Sequence, residues 1–340
     1  MVRLTHTVKT SGCASKLPVG DLNAILSTIP PMEDEKLLVG FETSDDALCW
    51  DLGDGRVMVQ SVDFFPPVAD EPYDYGRIAA ANALSDIYAM GARPAVAMNI
   101  MCFCSHMDLE VMRDILLGAQ ETCRQAGCVI AGGHTIADAT IKFGLSVTGF
   151  TTRDRLWTNR GARAGDLIVL TKRIGVGVAN TMIKAGEADA GFTREVLDGM
   201  MELNRSACEL ASSFEVHAAT DITGFSLLGH LYEMAHSSGL TIEIDSSAVP
   251  VYPQALEGAR FGFIPQGAYS NRDYLEDKVL IDEGIDRALC DLFFDPQTSG
   301  PLALAMDPAS AEDFVSRFSG VGAVIGRCLP EREKAIVVRA

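Results

Sequence analysis

Residues 77–91 read RIAAANALSDIYAMG, and their alanine-rich composition predicts a closely packed helix over about residues 76–90, ended by Gly91. Asn82 and Asp86 are four residues apart, so they lie on one face of this helix among small side chains. A carboxylate among alanines is costly to bury unless it is paired or binds a metal ion. A solvated helix face is the alternative interpretation, which the scarcity of charged neighbours disfavours.

Three further acidic motifs stand beside predicted strands. Asp45 and Asp46 precede one strand, and Asp63 ends another. Asp221 lies between an apolar strand and a Thr-Gly pair that opens a helix. Taken singly, each motif is equally consistent with an acidic turn or a helix N-cap. Taken together, carboxylates at the ends of separate elements suit Mg²⁺, which uses few protein oxygens and takes its other ligands from water and substrate phosphates.

Two glycine-rich segments are candidates for binding phosphate. Residues 131–135, Ala-Gly-Gly-His-Thr, are predicted to turn after a strand, and residues 174–177, Ile-Gly-Val-Gly, to turn before a helix. Backbone N–H groups at such turns can bind anions. Neither segment is a Walker A motif or a dinucleotide fingerprint. Together the two segments therefore indicate an ATP enzyme that uses neither of these common phosphate-binding motifs.

The N-terminal segment combines a cysteine with a lysine. Residues 1–20 carry neither a helical nor a strand period, which predicts a flexible arm. Cys13 and Lys16 lie three residues apart on it. A nearby ammonium group favours the thiolate, so an activated thiol is one interpretation and an incidental exposed cysteine is the other.

Charge and cysteine content exclude several classes of protein. The chain has 340 residues, and its 28 basic and 46 acidic side chains give a net charge of −18. Such a field repels nucleic-acid phosphates and anionic lipid, so neither nucleic acid nor a membrane is a predicted partner. No apolar stretch approaches the roughly 18 residues of a membrane span. Nine scattered cysteines without a CxxC pair are typical of free core thiols and predict a reducing, cytoplasmic location.

The order of predicted elements indicates an α+β fold of two domains, each a mixed sheet with helices on one face. A polar, basic stretch over residues 151–163 marks the boundary. We therefore expect the arm over 1–20, a first domain over 21–155 and a second over 156–340. Residues 252–271 show little periodicity and are predicted to form a functional loop.

Taken in order, these motifs resemble those of the selenophosphate synthetase (selenide, water dikinase) family. Aminoimidazole ribonucleotide synthetase, thiamine-phosphate kinase and hydrogenase maturation proteins share its fold, but the Gly-Cys-x-x-Lys arm points to the selenium branch. The resemblance therefore implies two mixed-sheet α/β domains of the aminoimidazole ribonucleotide synthetase-like type. The matching segments are Gly12-Cys13-x-x-Lys16 and residues 43–47, 61–65, 76–91, 131–136, 220–230 and 295–300.

The resemblance implies the reaction ATP + selenide + water → selenophosphate + AMP + phosphate, with Mg²⁺ and commonly a monovalent cation such as K⁺. It also implies a homodimer in which the first domains pair their sheets close to the ATP sites. By motif, Cys13 and Lys16 are the expected catalytic residues. The expected Mg²⁺ ligands are Asp46, Asp86 and Asp221. The expected ATP-binding set is Lys16, Thr43, Ser44, Asp45, Asp63, Asp86, Gly133, His134 and Thr135.

Two alternative functions stay open at this level. One is another ATP-dependent enzyme of the same superfamily, such as a thiamine-phosphate kinase, against which the N-terminal arm argues. The other is a non-catalytic, nucleotide-binding regulatory relative, a class that would lack the nucleophile and lysine that this chain keeps. Three departures from the family pattern are Ser15, where some relatives have a second cysteine, Pro301, where a second glycine is usual, and residues 266–272, which match the family only loosely.

Overall fold

The structure is a computed structural model that describes residues 3–17, 19–30, 32–40 and 45–340. The helices of this part are α1 (Val19–Leu26), α2 (Pro72–Ala89), α3 (Leu109–Ala126), α4 (Val176–Ala185), α5 (Ala190–Met201), α6 (Arg205–Ala211), α7 (Ser226–Ser238), α8 (Pro253–Arg260), α9 (Gln266–Leu275), α10 (Arg287–Phe293) and α11 (Pro308–Arg317). The strands are β1 (Leu37–Val39), β2 (Leu48–Asp51), β3 (Arg56–Phe65), β4 (Arg93–Phe103), β5 (Val129–Ala137), β6 (Lys142–Thr152), β7 (Leu167–Leu170), β8 (Val216–Asp221), β9 (Leu240–Asp245), β10 (Val279–Ile281), β11 (Leu302–Met306), β12 (Ala323–Pro330) and β13 (Ile336–Arg339).

The strands form two mixed sheets, as predicted. The first has the order β1-β2-β3-β6-β4-β5, and only its β4–β5 pair is parallel. The second has the order β10-β13-β9-β12-β7-β11-β8, with parallel pairs at β10–β13 and β13–β9. Helices α2 and α3 cover one face of the first sheet.

The second sheet is covered on both faces, so the expectation of helices on one face is wrong for it. Every residue of β11 is buried. Leu302 and Leu304 pack into the cluster that contains the core of the first sheet, whereas Ala303 and Ala305 pack with α7. The hydrophobic core is therefore continuous from one sheet to the other.

Helix α2 lies at the centre of this core. It contacts α3, β3 and β6 on the side of the first sheet, and α5, α6 and β8 on the other. Its alanines at 79, 80, 81 and 83 are at most 1% exposed. A helix buried on all sides needs small, apolar residues all round, which explains its composition. The predicted close packing is confirmed.

Two glycines bring α2 and α3 into backbone contact. A Cβ placed on Gly76 would lie 1.9 Å from the carbonyl oxygen of Ile115, and one on Gly118 would lie 2.0 Å from that of Tyr73. Both distances are far below van der Waals contact, so no other residue fits at either position without moving a helix. This crossing fixes where α2 sits between the sheets.

Two local expectations are wrong. Residues 131–135 are not a turn but the middle of strand β5, because Gly133 allows close pairing with β4: a Cβ on Gly133 would lie 2.5 Å from the carbonyl oxygen of Asn99. The segment expected to be a functional loop, 252–271, instead contains α8 and the first part of α9. Buried alanines, among them Ala255 and Ala259, anchor α8.

Replacing Gly76 by alanine should weaken the α2–α3 crossing. The added methyl group has to push a helix backbone aside, so we expect the free energy of unfolding to fall by about 1–3 kcal/mol or more. Urea unfolding followed by circular dichroism measures the change. Gly284→Ala is the matched control, since its Cβ would meet its nearest atom only at 3.9 Å. Equal stability of both variants would contradict the proposed contact.

Candidate functional site

Four carboxylates from separate elements converge at one end of α2. Asp86 projects from α2, Asp63 from β3 and Asp221 from the end of β8, and Asp46 precedes β2. Burial raises the pKa of Asp46 and of Asp86 well above the usual carboxylate range, and the charge of Asp221 adds to both shifts. Burial also raises the pKa of Asp221. The predicted metal ligands thus lie near enough to repel one another.

Polar neighbours satisfy only part of this cluster. The hydroxyl of Thr220 donates to Oδ1 of Asp46 at 2.9 Å, and the hydroxyl of Ser61 donates to Asp86. Oδ2 of Asp46 and Oδ2 of Asp221 are buried and have no hydrogen-bond partner among the described residues. Buried anionic oxygens without a donor are the oxygen ligands that a hard cation takes.

These oxygens fit Mg²⁺ only as an incomplete set. Across residues 3–17, 19–30, 32–40 and 45–340, no three His, Cys, Asp or Glu side chains approach closely enough to hold an ion by themselves. Mg²⁺ usually keeps several waters and is bound through one or two carboxylates plus substrate phosphates. The cluster suits an ion that arrives with a phosphorylated substrate.

Lys16 supplies an ammonium group to the cluster. Its Nζ lies 3.4 Å from Oδ2 of Asp63, and its side chain is 37% exposed. Burial lowers the pKa of Lys16, but the negative charge of Asp63, together with Cys13, Asp86 and Asp221, outweighs burial and leaves the pKa raised. Lys16 therefore stays protonated beside the carboxylates.

The side-chain amide of Asn82 connects the arm, the first domain and the second domain. Its Oδ1 accepts the backbone N–H of Ser299 at 2.8 Å and the thiol of Cys13 at 3.3 Å. Its Nδ2 donates to Asp63. The backbone N–H of Cys13 in turn donates to the hydroxyl of Thr298 at 3.1 Å. One buried amide thus orients both the thiol and the partner of Lys16.

Gly12 allows the arm to approach this site. Its φ is +56°, and a Cβ there would lie 2.4 Å from Oγ1 of Thr298. Residues Gly12–Ser15 form a 3-10 helical turn, and Cys13 is 1% exposed. The predicted flexibility of residues 1–20 stays a prediction, since the structure describes the arm in one packed position.

Cys13 is 1% exposed in this packed position, so the incidental exposed cysteine does not fit it, and the activated thiol stays a prediction. Burial raises the pKa of the Cys13 thiol, and the opposing effect of the Lys16 charge is smaller. The physical reason is that the turn removes the sulfur from water, an effect that sequence spacing does not report.

Residues 295–300 hold the start of α4. Oε1 of Gln297 accepts the backbone N–H groups of Gly175 and Val176, at 3.0 and 3.1 Å. Oδ2 of Asp295 accepts the N–H of Gly177 at 2.8 Å. The glycine-rich turn expected to bind phosphate is therefore occupied by side chains of the protein itself.

Other predicted site residues lie elsewhere. Asp45 accepts the backbone N–H of Asn159 at 2.7 Å. Thr43 and Ser44 lie outside the described residues. Gly133, His134 and Thr135 lie on the exposed edge strand β5, with Gly133 three strands from Asp63, about 14 Å at the usual strand spacing. The single chain does not bring this segment to the carboxylates.

Several polar residues of the site were not predicted from the sequence. Asn82 carried a signal, its spacing from Asp86 among alanines, but was assigned no role. Thr298 stood in a matching segment without an individual role. Ser61 and Thr220 also stood in matching segments without an individual role, because a hydroxyl in a strand is ordinary and only the fold brings these two to the carboxylates.

Two family models match most of the chain. The family models for AIR synthase related protein match residues 44–151 with the N-terminal domain and residues 163–339 with the C-terminal domain. Selenide, water dikinase of Clostridium botulinum strain Eklund 17B is 47% identical over 341 residues, covering 99% of each chain. The chain belongs to the selenide, water dikinase family. The Pelobacter propionicus member is also 47% identical, over 99% of this chain and 98% of its own.

Solved structures support the fold of this selenide, water dikinase family member. Thiamine monophosphate kinase from Aquifex aeolicus superposes with a TM-score of 0.66 at 17% identity, covering 94% of this chain and 96% of its own. Hydrogenase maturation protein HypE in complex with ATP gives 0.65 at 19% identity, covering 96% and 87%. These likenesses confirm the two-domain α+β fold. In the described residues, no helix is long and apolar enough to cross a membrane.

Replacing Asn82 by alanine should release the arm. The change leaves the N–H of Ser299 without its acceptor and takes from Oδ2 of Asp63 one of its two partners, the other being Lys16, so we expect a loss of about 2–4 kcal/mol in the free energy of unfolding. Alkylation of Cys13, followed by mass spectrometry of its peptide, should become faster.

Asn99→Ala is the control for this substitution, because the amide oxygen of Asn99 has no hydrogen-bond partner among the described residues. Alkylation of Cys13 at the same rate in both variants would show that Asn82 does not hold the arm.

Proposed function

We propose that this member of the selenide, water dikinase family catalyses ATP + selenide + water → selenophosphate + AMP + phosphate at the carboxylate cluster. The observation that carries the proposal is the meeting of Asp46, Asp86 and Asp221, two of them with an unpartnered buried oxygen, beneath Lys16 and Cys13. The metal ion that accompanies a polyphosphate substrate would supply the positive charge that this cluster lacks.

Asp46, Asp86 and Asp221 would hold Mg²⁺ together with the phosphates of ATP. When bound, Mg²⁺ would offset the negative charge on the oxygens of the phosphoryl group during its transfer. Thr220 and Ser61 donate to two of the carboxylates and orient them. Asp46 and Asp86 therefore each have one oxygen held by the protein, which leaves their other oxygen to the ion.

Lys16 would place its ammonium group on the phosphoryl group being transferred. A fixed charge aimed at developing negative charge stabilises the transition state and needs no rearrangement during the reaction. The ion pair with Asp63 holds Lys16 ready, and Asn82 holds Asp63. Asp63 and Asn82 act through Lys16 and are positioning residues in this proposal.

Cys13 would meet selenide next to Lys16. Its thiol is buried and hydrogen-bonded to Asn82, so the packed arm excludes bulk water from this side of the site. Excluding water protects an activated phosphoryl group from premature hydrolysis. We propose that residues 1–20 open to admit substrate and close into the position described.

A homodimer would complete the ATP site. Gly133, His134 and Thr135 lie on edge strand β5, about 14 Å from Asp63 within one chain. The face of the first sheet away from α2 and α3 exposes Val62 (58%), Met98 (52%) and other apolar side chains. Pairing this face with a second copy would bury it and bring the partner's β5 to the cluster.

The remaining expectations stay predictions. The division into an arm over 1–20, a domain over 21–155 and a domain over 156–340 is proposed together with the site. Thr43, Ser44 and Asp45 are proposed to contact ATP. A monovalent cation such as K⁺ is expected by resemblance, with no residue assigned to it. A cytoplasmic location agrees with the nine free cysteines.

Phosphorus NMR of the purified protein with ATP, Mg²⁺ and selenide, under anaerobic and reducing conditions, tests the reaction. We expect the formation of AMP and selenophosphate to depend on selenide.

Lys16→Ala should lower kcat about a hundredfold or more, because it removes the positive charge that stabilises the transition state. Cys13→Ala should also abolish selenophosphate formation, and Asp221→Asn should raise the Mg²⁺ concentration needed.

Lys9→Ala is the control, since Lys9 lies on the same arm and is exposed. Full turnover by Lys16→Ala would refute the role given to that residue. Formation of ADP with a phosphate-accepting substrate would favour a thiamine-phosphate kinase-like enzyme instead. Tight ATP binding without turnover at any selenide concentration would favour a regulatory relative.

Charge placed on the exposed sheet face should prevent dimer formation. We expect Val62→Glu combined with Met98→Glu to convert a dimer into a monomer in sedimentation equilibrium and to lower ATP affinity. Phe261→Glu is the control, because that side chain is 80% exposed and lies on the second domain. A monomeric unmodified protein, or a double variant that stays dimeric, would contradict the proposed interface.

A further inference from the structure

A cavity lies on the far side of α2 from the carboxylates. It has a volume of about 500 Å³ and is lined from both domains. Tyr88 of α2 contributes to its wall, two residues beyond Asp86, and residues two apart on a helix point in different directions. The cavity is thus separate from the candidate active site.

Arginines from four elements surround this cavity. Arg56 comes from β3, Arg93 from β4, Arg155 from the turn after β6 and Arg205 from α6. Glu209 is the one acidic residue of the lining, so the wall carries a net charge of +3, from four positive charges and one negative. In a chain of net charge −18, this concentration of positive charge is a local exception.

Two of these arginines have no side-chain partner among the described residues. Arg56 pairs with Asp54, and Arg205 with Glu209. Within the described part of the chain, Arg93 and Arg155 form neither a side-chain hydrogen bond nor an ion pair. Arginines near helix ends often serve to neutralise the helix dipole, as Arg205 does by donating to the carbonyl of Gln125 at 2.7 Å. Arg93 and Arg155 make no such bond.

The hydroxyl of Tyr88 gives an independent indication of a ligand. Tyr88 is 2% exposed, and its hydroxyl has no hydrogen-bond partner among the described residues. A buried hydroxyl without a partner costs about 1–3 kcal/mol, so a ligand oxygen that accepts its proton would remove a penalty already present in the fold. The hydroxyl of Tyr88 and the guanidinium groups of Arg93 and Arg155 are thus donors without an acceptor among the described residues.

We propose that this cavity binds a small anion that carries phosphate. Guanidinium groups match phosphate oxygens with paired hydrogen bonds, and a wall of charge +3 favours a multiply charged anion over a monocarboxylate. The volume accommodates pyrophosphate or a mononucleotide. A nucleic-acid backbone is disfavoured, since outside the cavity it would meet the negative surface of the chain.

Binding there would connect the two domains. Arg93 and Arg155 belong to the first domain and Arg205 to the second, so one anion contacting all three would join them across α6 and the end of α2. The proposed site does not depend on the reaction assigned to the carboxylate cluster, and either can fail alone.

Isothermal titration calorimetry with pyrophosphate tests the site in the Lys16→Ala protein, in which the phosphate-binding lysine of the other site is absent. We expect binding that becomes at least about tenfold weaker when Arg93→Gln and Arg155→Gln are added. Arg317→Gln with Arg332→Gln is the matched control, because it removes the same charge from exposed arginines outside the cavity. The control should bind as Lys16→Ala does.

Further measurements identify the ligand and show whether each variant is folded. Tyr88→Phe removes only the hydroxyl and should weaken binding several-fold, and thermal unfolding without anion shows whether each variant is folded. Tighter binding of AMP than of orthophosphate would make a nucleotide the ligand, and the reverse order would make it an inorganic phosphate. Unchanged affinity in the arginine double variant or in Tyr88→Phe, or no binding of pyrophosphate at millimolar concentration, would overturn the proposal.

Discussion

Repulsion among the carboxylates of Asp46, Asp63, Asp86 and Asp221 is the constraint that the surrounding structure has to accommodate. Two like charges 4 Å apart repel by about 4 kcal/mol at the effective dielectric constant of a protein surface. One ammonium group, that of Lys16, cannot offset four negative charges. Burial raises the pKa values of Asp46, Asp86 and Asp221, and the repulsion between neighbouring carboxylates adds to each shift. Cation binding would therefore compete with protons at this site.

The rest of the site is built around this charge. Asp63 forms the ion pair with Lys16, and a hydrogen bond from Asn82 holds the Asp63 carboxylate in place. The same amide accepts hydrogen bonds from the arm and from Ser299 of the second domain. Closing the arm, docking the domains and orienting Lys16 are thus coupled through one buried side chain. Coupled polar contacts of this kind make a single geometry more stable than partial ones.

The fold and the carboxylates were readable in the sequence, whereas the connections between them were not. The alanine run of α2 predicted close packing because burial on all sides leaves room only for small side chains. Asp86 stood out against those alanines. Gly133 was misassigned to a turn because a glycine needed for close strand pairing has the same composition as one needed for a turn. The protonation of Cys13 depends on burial by residues nearly 300 positions away, which spacing cannot report.

The backbone contact between α2 and α3 determines which part of the molecule is able to move. Gly76 and Gly118 lock the two helices at a separation that leaves no slack for sliding or rotation. Asp86 and Asn82, which lie on α2, therefore keep fixed positions. In the proposed function, the N-terminal arm that bears Cys13 and Lys16 moves relative to this fixed helix.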